Sequence, residues 1–217
     1  MVVAYVAGFR DFDFSKIDAA KLTHINYAFA NIIDGEVMFG SERIDNTEMN
    51  EEDIKALVAL KEINPDLKVL VSVGGWGWSG NFSDAALTDS SRNRFGASAA
   101  RFVRDHGLDG IDLDWEYPNH PGAGNIYRPE DVRNFTLMLE CVRKHIDSLA
   151  AEQGRKEKYL LTIATGASEL YAANTELGKL QQYLDFINIM TYDFHHGASY
   201  QTGHHANLHL SSSDAPD

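Results

Sequence analysis

The apolar residues of this chain form short β-branched runs that alternate with stretches in which apolar side chains recur at helical spacing. Most of the short runs are continuously apolar, which is typical of parallel strands that other elements cover on both faces. Six strands are therefore predicted, at Val2–Ala7, His24–Ala30, Lys68–Val73, Leu108–Asp114, Tyr159–Ala164 and Phe186–Thr191.

Helices are predicted between these strands from their apolar spacing and from capping residues at their ends. The predicted boundaries are a start at Asn50 with Asp53, a start at Ser90 or Ser91 with an end at Gly107, a start at Pro129 with an end at Gly154, and a short helix over Thr175–Leu184. The alternating order indicates an α/β fold with a parallel sheet, either an open doubly wound sheet or a (β/α)8 TIM barrel.

Composition narrows the class of protein without identifying it. The chain has 217 residues, is 44% hydrophobic and 24% charged, and has a mean hydropathy of −0.30, as expected of a globular protein. Its net charge of −13 argues against nucleic acid as a partner, because the phosphate backbone is also negative. No signal peptide or membrane-spanning run is predicted, and the single cysteine, Cys141, has no internal disulfide partner.

Three carboxylates share one face of the fourth predicted strand. Asp112, Asp114 and Glu116 are spaced by two residues, so they point to the same side, and the apolar residues between them point to the other. On a helix-covered face such acids would be buried without partners. The interior of a barrel near its C-terminal rim accommodates them, so this strand favours the barrel over the open sheet.

Clustered carboxylates raise at least one pKa, which is how a carboxylic acid stays protonated near neutral pH as a proton donor. Glu116, the last of the three, is the best-placed donor, with Asp114 and Asp112 behind it. Two other interpretations are a solvated acidic edge and a metal site. The apolar residues between the acids argue against the first, and the absence of a calcium-loop glycine argues against the second.

The segment from Asp109 to Pro118, DGIDLDWEYP, resembles the four-acid signature of the family 18 glycoside hydrolases, the chitinases. Other segments along the chain are similar to further motifs of that family. They are Ser72-Val-Gly74-Gly75-Trp76 after the third strand, Met190-Thr-Tyr192-Asp193 after the sixth, and Tyr27-Ala-Phe29 in the second.

The resemblance implies a retaining, substrate-assisted hydrolysis of β-1,4-linked N-acetylglucosamine polymers, with chitin or chito-oligosaccharide as the partner and no cofactor or metal. It implies that Glu116 is the acid and base, that Asp114 holds the substrate acetamide, that Asp112 supports Asp114, and that Tyr192 bonds the acetamide oxygen. The implied substrate-binding residues are Phe29, Gly74, Gly75, Trp76, Gly77, Tyr117, Met190 and Asp193, with Asp109 and Ser72 as supporting motif residues. The substrate also implies an extracellular location.

Two further patterns have weaker interpretations. The stretch Gly75–Gly80 matches a dinucleotide-binding glycine pattern, but tryptophans interrupt it and no helix is predicted directly after it. We interpret it as a barrel loop in which Trp76 or Trp78 offers a platform for a sugar ring. The histidines near the end of the chain have no spacing of a closed zinc site and are interpreted as a polar loop. They are His195, His196, His204, His205 and His209.

Two functions compete with chitin hydrolysis at this level: an endo-β-N-acetylglucosaminidase acting on glycoproteins and a non-catalytic chitin-binding lectin. Trp115 with the following Tyr-Pro favours the chitinases, and the presence of Glu116 favours an enzyme. We expect residues 1–217 to form a single catalytic-barrel domain, truncated after about six β/α units, with strands seven and eight absent. Such an open barrel is expected to associate and to be weakly active or inactive alone.

Overall fold

A curved sheet dominates the computed structural model, which describes residues 1–10, 12–40 and 47–209. Its seven strands are β1 (Val3–Ala7), β2 (His24–Ile33), β3 (Glu36–Phe39), β4 (Lys68–Gly74), β5 (Gly110–Asp114), β6 (Leu160–Gly166) and β7 (Phe186–Met190). Six of them run in parallel in the order β1-β2-β4-β5-β6-β7, and β3 pairs antiparallel with β2. The six parallel strands are the six that the sequence predicts.

Helices follow the strands. They are α1 (Thr47–Ala59), α2 (Gly75–Trp78), α3 (Phe82–Leu87), α4 (Asp89–Asp105), α5 (Asp131–Glu152), α6 (Glu169–Ala173) and α7 (Leu177–Leu180). None of the helices in the described ranges is long and apolar enough to cross a membrane.

The two faces of β5 have opposite character. Ile111 and Leu113 are buried in the apolar core, and Trp115 just beyond the strand stacks on Phe82 of α3 at 5.2 Å and meets Phe135 of α5 edge-on at 5.4 Å. The acidic residues between them point to the concave side of the sheet. This confirms the predicted division of the strand into an apolar face under helices and an acidic face elsewhere.

Polar residues from successive strands lie side by side on the concave side. Ser72 of β4 is in register with Asp112 of β5, which is in register with Thr162 of β6. The end strands also meet on this side, because Asn188 of β7 donates to the hydroxyl of Tyr5 of β1 at 3.1 Å. A polar concave face on a curved parallel sheet is the geometry of part of a barrel, so the prediction of a TIM barrel truncated after about six β/α units is confirmed and the open doubly wound alternative is wrong.

The hairpin of β2 and β3 is not among the predicted elements. A two-residue turn joins these strands, and Asp34 and Gly35 both have positive φ, at 50° and 77°. An Asp-Gly pair between apolar residues is a strong hairpin signal, because its backbone twist matches that of the strands. The hairpin extends β2 to Ile33, three residues beyond the predicted end.

Several helix starts differ from the prediction. Helix α1 begins at Thr47, so Asn50 lies within it, and α5 begins at Asp131, after Pro129. Helix α4 is capped by Thr88, whose hydroxyl accepts the backbone N–H of Ser91, so Ser91 completes a capping box three residues in.

The predicted helix ends agree better with the structure. Gly107 and Gly154 follow α4 and α5 with positive φ of 64° and 61°, which confirms both as C-terminal glycines. Helix α7 and the single 3-10 turn after it, Gln181–Tyr183, lie within the predicted Thr175–Leu184. The short helices α2, α3 and α6 are not predicted, because fewer than two turns leave little periodicity to detect.

Candidate active site

A cavity of about 790 Å³ opens at the C-terminal ends of the parallel strands. It is lined by Phe29, Trp76, Asp114, Glu116, Tyr117, Pro118, His120, Gly166, Ala167, Ser168, Leu170, Tyr171, Asn174, Met190, Tyr192, Asp193, Phe194 and His196. A second cavity of about 230 Å³ shares Phe29, Asp114, Met190 and Tyr192 with the first. The rim at which the cavity opens is the one where barrel enzymes carry their catalytic groups.

Asp112 is fully buried and accepts hydrogen bonds on both carboxylate oxygens. The hydroxyls of Tyr5 and Ser72 donate to Oδ2 at 2.9 and 2.7 Å. The Thr162 hydroxyl donates to Oδ1 at 2.6 Å, and the Asn188 amide reaches the same oxygen at 3.4 Å. Four donors from four strands therefore fix this carboxylate in the barrel interior.

Asp114 lies between Asp112 and Glu116 in the sequence, and the hydrogen bonding of its carboxylate differs from that of Asp112. Its side chain is buried, and Oδ1 has no hydrogen-bond partner among the described residues. This oxygen belongs to a residue that lines the main cavity, so a donor on a bound molecule is its natural partner.

Glu116 lies two residues beyond the end of β5, only 8% exposed, on the wall of the cavity. Its backbone N–H is held by the hydroxyl of Ser79 at 2.8 Å. The peptide bonds before Phe29 and Tyr117, two other lining residues, are both cis.

Burial is the main cause of the altered titration of all three acids. It raises the pKa of Asp112, although the four donors act in the opposite direction. It raises the pKa of Asp114 well above the usual value, and the charges of Glu116 and Asp112 raise it further. The pKa of Glu116 is also raised by burial; the Tyr117 hydroxyl lowers it and Asp193 raises it. Asp114 and Glu116 titrate as a pair, so one proton is retained between them above the usual range of a carboxyl group.

We expect Asp114→Asn to raise the free energy of unfolding at neutral pH and to change it little in acid. Because the folded-state pKa is raised, the folded protein keeps a proton that the unfolded chain has released. The stability linked to that proton is present in acid and is lost as pH rises through the folded pKa, whereas asparagine does not titrate. Urea unfolding at about pH 3 and about pH 7 measures the difference.

Asp18→Asn is the matched control for this measurement. The Lys21 ammonium lowers the pKa of Asp18, so removal of that carboxylate has the opposite pH dependence. An Asp114→Asn effect of equal size at both pH values would contradict the linkage between stability and this proton.

The other motif residues meet at the same cavity. Phe29, Trp76, Tyr117 and Met190 all line it, and Trp76 is 56% exposed, which leaves it accessible to a ligand. Tyr192 also lines it, just beyond the end of β7, and is about half exposed. Asp193, the last lining residue of this motif, has a positive φ of 59°.

The glycines predicted to bind substrate do not line the cavity, and two of them matter because a side chain would not fit at their positions. A Cβ at Gly74 would clash with the backbone oxygen of Asp114, and one at Gly75 would clash with the ring of Phe29. Both have positive φ, at 104° and 71°. Nothing lies within 4 Å of the position that a Cβ would take on Gly77, and none of the three is among the lining residues.

The two tryptophans of this segment differ. Whereas Trp76 faces the cavity, the ring of Trp78 occupies the space that a side chain at Gly40 would need, so Trp78 packs beside the end of the hairpin. Of the two tryptophans offered as a platform for a sugar ring, Trp76 therefore lines the cavity, whereas Trp78 packs against the chain at Gly40.

Asp109, the first acid of the signature, lies at the opposite end of β5 from the cavity. Its buried carboxylate accepts the backbone N–H of Val69 at 2.9 Å and pairs with Lys61 at 2.5 Å and Arg155 at 2.9 Å. It joins β4, β5 and the segment before β6 at the N-terminal face, where barrel residues serve stability rather than chemistry.

Several residues of the site are absent from the sequence-based set. Tyr5, Thr162 and Asn188 hold Asp112, and Tyr171 lines the cavity with a buried hydroxyl that has no partner among the described residues. His120 and Asn174 line the cavity as well. Three of them are polar residues within strands, two belong to α6 and its C-cap, and one lies in the loop after β5, so no common local pattern marks them.

The histidine-rich segment after β7 lies beside the site, where the ring of His205 stacks on Tyr192 at 6.2 Å and its Nδ1 is 3.4 Å from Asp193 Oδ1. In the part of the chain that the structure describes, no cluster of three or more His, Cys, Asp or Glu residues is arranged to hold a metal ion.

Comparison with known proteins gives a consistent picture. The family model of the glycosyl hydrolases family 18 matches residues 1–215. Chitinase A1 of Niallia circulans is 40% identical over 253 aligned residues, which cover 96% of this chain and 36% of that protein. Chitinase ChiA74 from Bacillus thuringiensis is 37% identical with a TM-score of 0.88, covering 98% of this chain and 42% of the other.

A family 18 N-acetylglucosaminidase from Paenibacillus barengoltzii is also similar. It is 41% identical with a TM-score of 0.85, covering 98% of this chain and 60% of that one. The chain therefore spans between about a third and three fifths of the length of the proteins to which it is compared here.

Proposed function

The chain belongs to the glycosyl hydrolases of family 18, and from this premise we propose that it hydrolyses β-1,4-linked N-acetylglucosamine in chitin and chito-oligosaccharides. The observation that carries the proposal is the cavity at the strand ends, lined by the buried carboxyl groups of Asp114 and Glu116, whose pKa values burial raises. A carboxylic acid kept protonated by burial is a proton donor near neutral pH. The activity and substrate of the whole protein are part of this proposal.

Glu116 is the acid and then the base of the proposed reaction. It donates its proton to the glycosidic oxygen as the bond from that oxygen to the anomeric carbon breaks. The carbonyl oxygen of the substrate's own N-acetyl group bonds to the anomeric carbon, which gives an oxazolinium ion. Water then attacks the anomeric carbon as the bond from the acetamide oxygen to that carbon breaks, which restores the N-acetyl group. The Glu116 carboxylate takes the proton of that water, so the acid is restored.

Asp114 orients the acetamide and stabilises the positive charge of the intermediate. Its unpartnered Oδ1 is available to accept the acetamide N–H. A hydrogen bond of this kind favours the ionised form of Asp114 and leaves the shared proton on Glu116, where the reaction needs it. Asp112, which four hydrogen-bond donors fix in place, supports Asp114 from the side of the barrel interior. Tyr192 donates a hydrogen bond to the acetamide oxygen.

The apolar lining supplies the sugar-binding surface. Pyranose rings stack on aromatic faces, and Trp76, Phe29 and Tyr117 present such faces to the cavity. Met190 and Asp193 complete this wall, and Gly74 and Gly75 let the backbone and the Phe29 ring approach closely.

The decisive experiment is incubation of the chain with a chromogenic chito-oligosaccharide and with chitin, followed by NMR of the anomeric protons. We expect release of the chromophore and initial formation of the β-anomer, because the acetamide and the water attack in succession on opposite faces. The α-anomer as first product would exclude the oxazolinium route. No hydrolysis of either substrate, with binding retained, would favour the chitin-binding lectin.

A second candidate is the removal of single N-acetylglucosamine units from short oligosaccharides. It is favoured by the 41% identity with a protein described as an N-acetylglucosaminidase. Product lengths separate the two, since cleavage within the polymer gives mixed oligomers at early times and removal of single units gives the monosaccharide. Release of glycan from a glycoprotein would instead favour the endo-β-N-acetylglucosaminidase. Because chitin lies outside cells, we propose an extracellular site of action.

A further inference from the structure

One buried serine outside the cavity contacts the backbone of two segments, the end of β5 that leads to Glu116 and the turn that follows β4. Ser79 follows α2 directly and is 1% exposed. Its hydroxyl accepts the backbone N–H of Glu116 at 2.8 Å, and its one hydrogen is shared between two acceptors, the backbone oxygens of Gly75 at 2.9 Å and Asp114 at 3.1 Å. A single side-chain oxygen therefore joins the end of β5 to the turn that follows β4.

The position of this hydroxyl follows from where the two strands stop pairing. Strands β4 and β5 are in register up to Gly74 opposite Asp114, and there β4 ends and the chain turns into α2. In a longer parallel pair, the next β4 residue would donate to the Asp114 carbonyl and accept the Glu116 N–H. The Ser79 hydroxyl, with one donor and two lone pairs, makes both contacts in its place.

We propose that Ser79 is a positioning residue for Glu116, and the proposal rests on the hydrolase function argued above. The Ser79 hydroxyl adds one further pair of hydrogen bonds to those between β4 and β5. It thereby holds the backbone of Glu116 in the direction of β5 beyond the point where β4 ends. The same hydroxyl holds the turn that carries Trp76, so it also fixes the acid relative to the stacking platform. Misplacement of a catalytic group by about 1 Å costs about 10²-fold in rate.

Ser79→Ala removes the acceptor of the Glu116 N–H without adding volume. Ser79→Cys keeps the shape of the side chain with a slightly larger atom and replaces the hydroxyl by a weakly hydrogen-bonding thiol. It is the variant to measure if the alanine variant does not fold. Ser98→Ala is the matched control, because Ser98 is equally buried, accepts the Val37 N–H at 2.9 Å and donates to the Phe95 carbonyl at 2.7 Å, away from the cavity.

Two readouts on the full chain test the proposal. In the first, amide hydrogen exchange at Glu116 is expected to accelerate about tenfold or more in Ser79→Ala and Ser79→Cys. Ser98→Ala should leave the Glu116 amide unchanged and accelerate exchange at Val37. In the second, kcat on the chromogenic oligosaccharide is expected to fall about tenfold or more for both Ser79 variants, with KM changed less than about twofold. Ser98→Ala should keep the parent kcat.

Each outcome bears on one claim. If the parent hydrolyses no chito-oligosaccharide, the proposed function fails, and the exchange of the Glu116 amide still tests the role of Ser79. If Glu116 remains protected in Ser79→Ala, or if kcat stays at the parent value while the parent is active, Ser79 does not position the acid. A loss of kcat of equal size in Ser98→Ala would reduce the role of Ser79 to general stability and overturn the proposal.

Discussion

Glu116→Gln is expected to lower kcat on a chromogenic chito-oligosaccharide by about 10³-fold or more, because the amide cannot donate a proton to the glycosidic oxygen. The change is nearly isosteric, and the Glu116 backbone is held by Ser79 independently of the side chain. The dissociation constant for an unmodified oligosaccharide should therefore stay within about threefold of the parent value. Rates of chromophore release, from stopped or continuous assays, give kcat, and titration calorimetry gives the dissociation constant.

Glu152→Gln is the matched control for this change, since Glu152 is exposed at the end of α5, and the residues that follow it contact Tyr159 and Asp109 before β6 and β5, at the opposite end of the strands from the cavity. It should keep both the parent kcat and the parent affinity. Hydrolysis by Glu116→Gln near the parent rate would remove Glu116 from the role of acid. A loss of affinity as large as the loss of kcat would mean that the side chain acts in ground-state binding instead.

The acidic face of β5 can be predicted from the sequence because a strand has a period of two. Asp112, Asp114 and Glu116 alternate with apolar residues, so their common face and the apolar core on the other face follow from parity alone. The requirement that buried carboxylates have partners then selects the barrel interior over an open sheet. That argument needs no knowledge of the other strands, and the structure confirms it.

The partners of these acids could not be predicted in the same way. Tyr5 is separated from Asp112 by 107 positions and Thr162 by 50, and each is one polar residue in an apolar run. Their meeting depends on strand order and register, which local patterns do not encode. The hairpin after β2 was detectable from Asp34-Gly35, whereas the position of Ser79 depends on where β4 stops pairing with β5.

The four-acid signature also divides into two functions that the spacing alone does not separate. Asp109 is paired with Lys61 and Arg155 at the N-terminal face, where ionised partners compensate its burial. Asp114 at the other end of the strand has an oxygen without a partner among the described residues and a pKa raised by burial. A charge that is compensated stabilises the fold, and one that is not compensated is available to a ligand.

This difference makes Asp114 the second position where a large kinetic effect is expected. Asp114→Asn should lower kcat by about 10²-fold to 10³-fold, because an amide cannot carry the negative charge that stabilises the oxazolinium ion. The acid limb of the pH–rate profile, where activity falls as Asp114 becomes protonated, should be lost. The basic limb, where activity falls as Glu116 loses its proton, should remain. Initial rates across the pH range of the folded protein measure both limbs.

The same substitution is expected to stabilise the protein at neutral pH, and the two effects together distinguish catalysis from structure. A variant that is more stable but much slower has lost a group that is costly to bury and needed for chemistry, whereas a misfolded variant would be both slower and less stable. An unchanged acid limb in Asp114→Asn would assign that limb to another group of the cavity. Full activity would show that the charge of Asp114 is not used, and the intermediate would then have to be stabilised from elsewhere in the site.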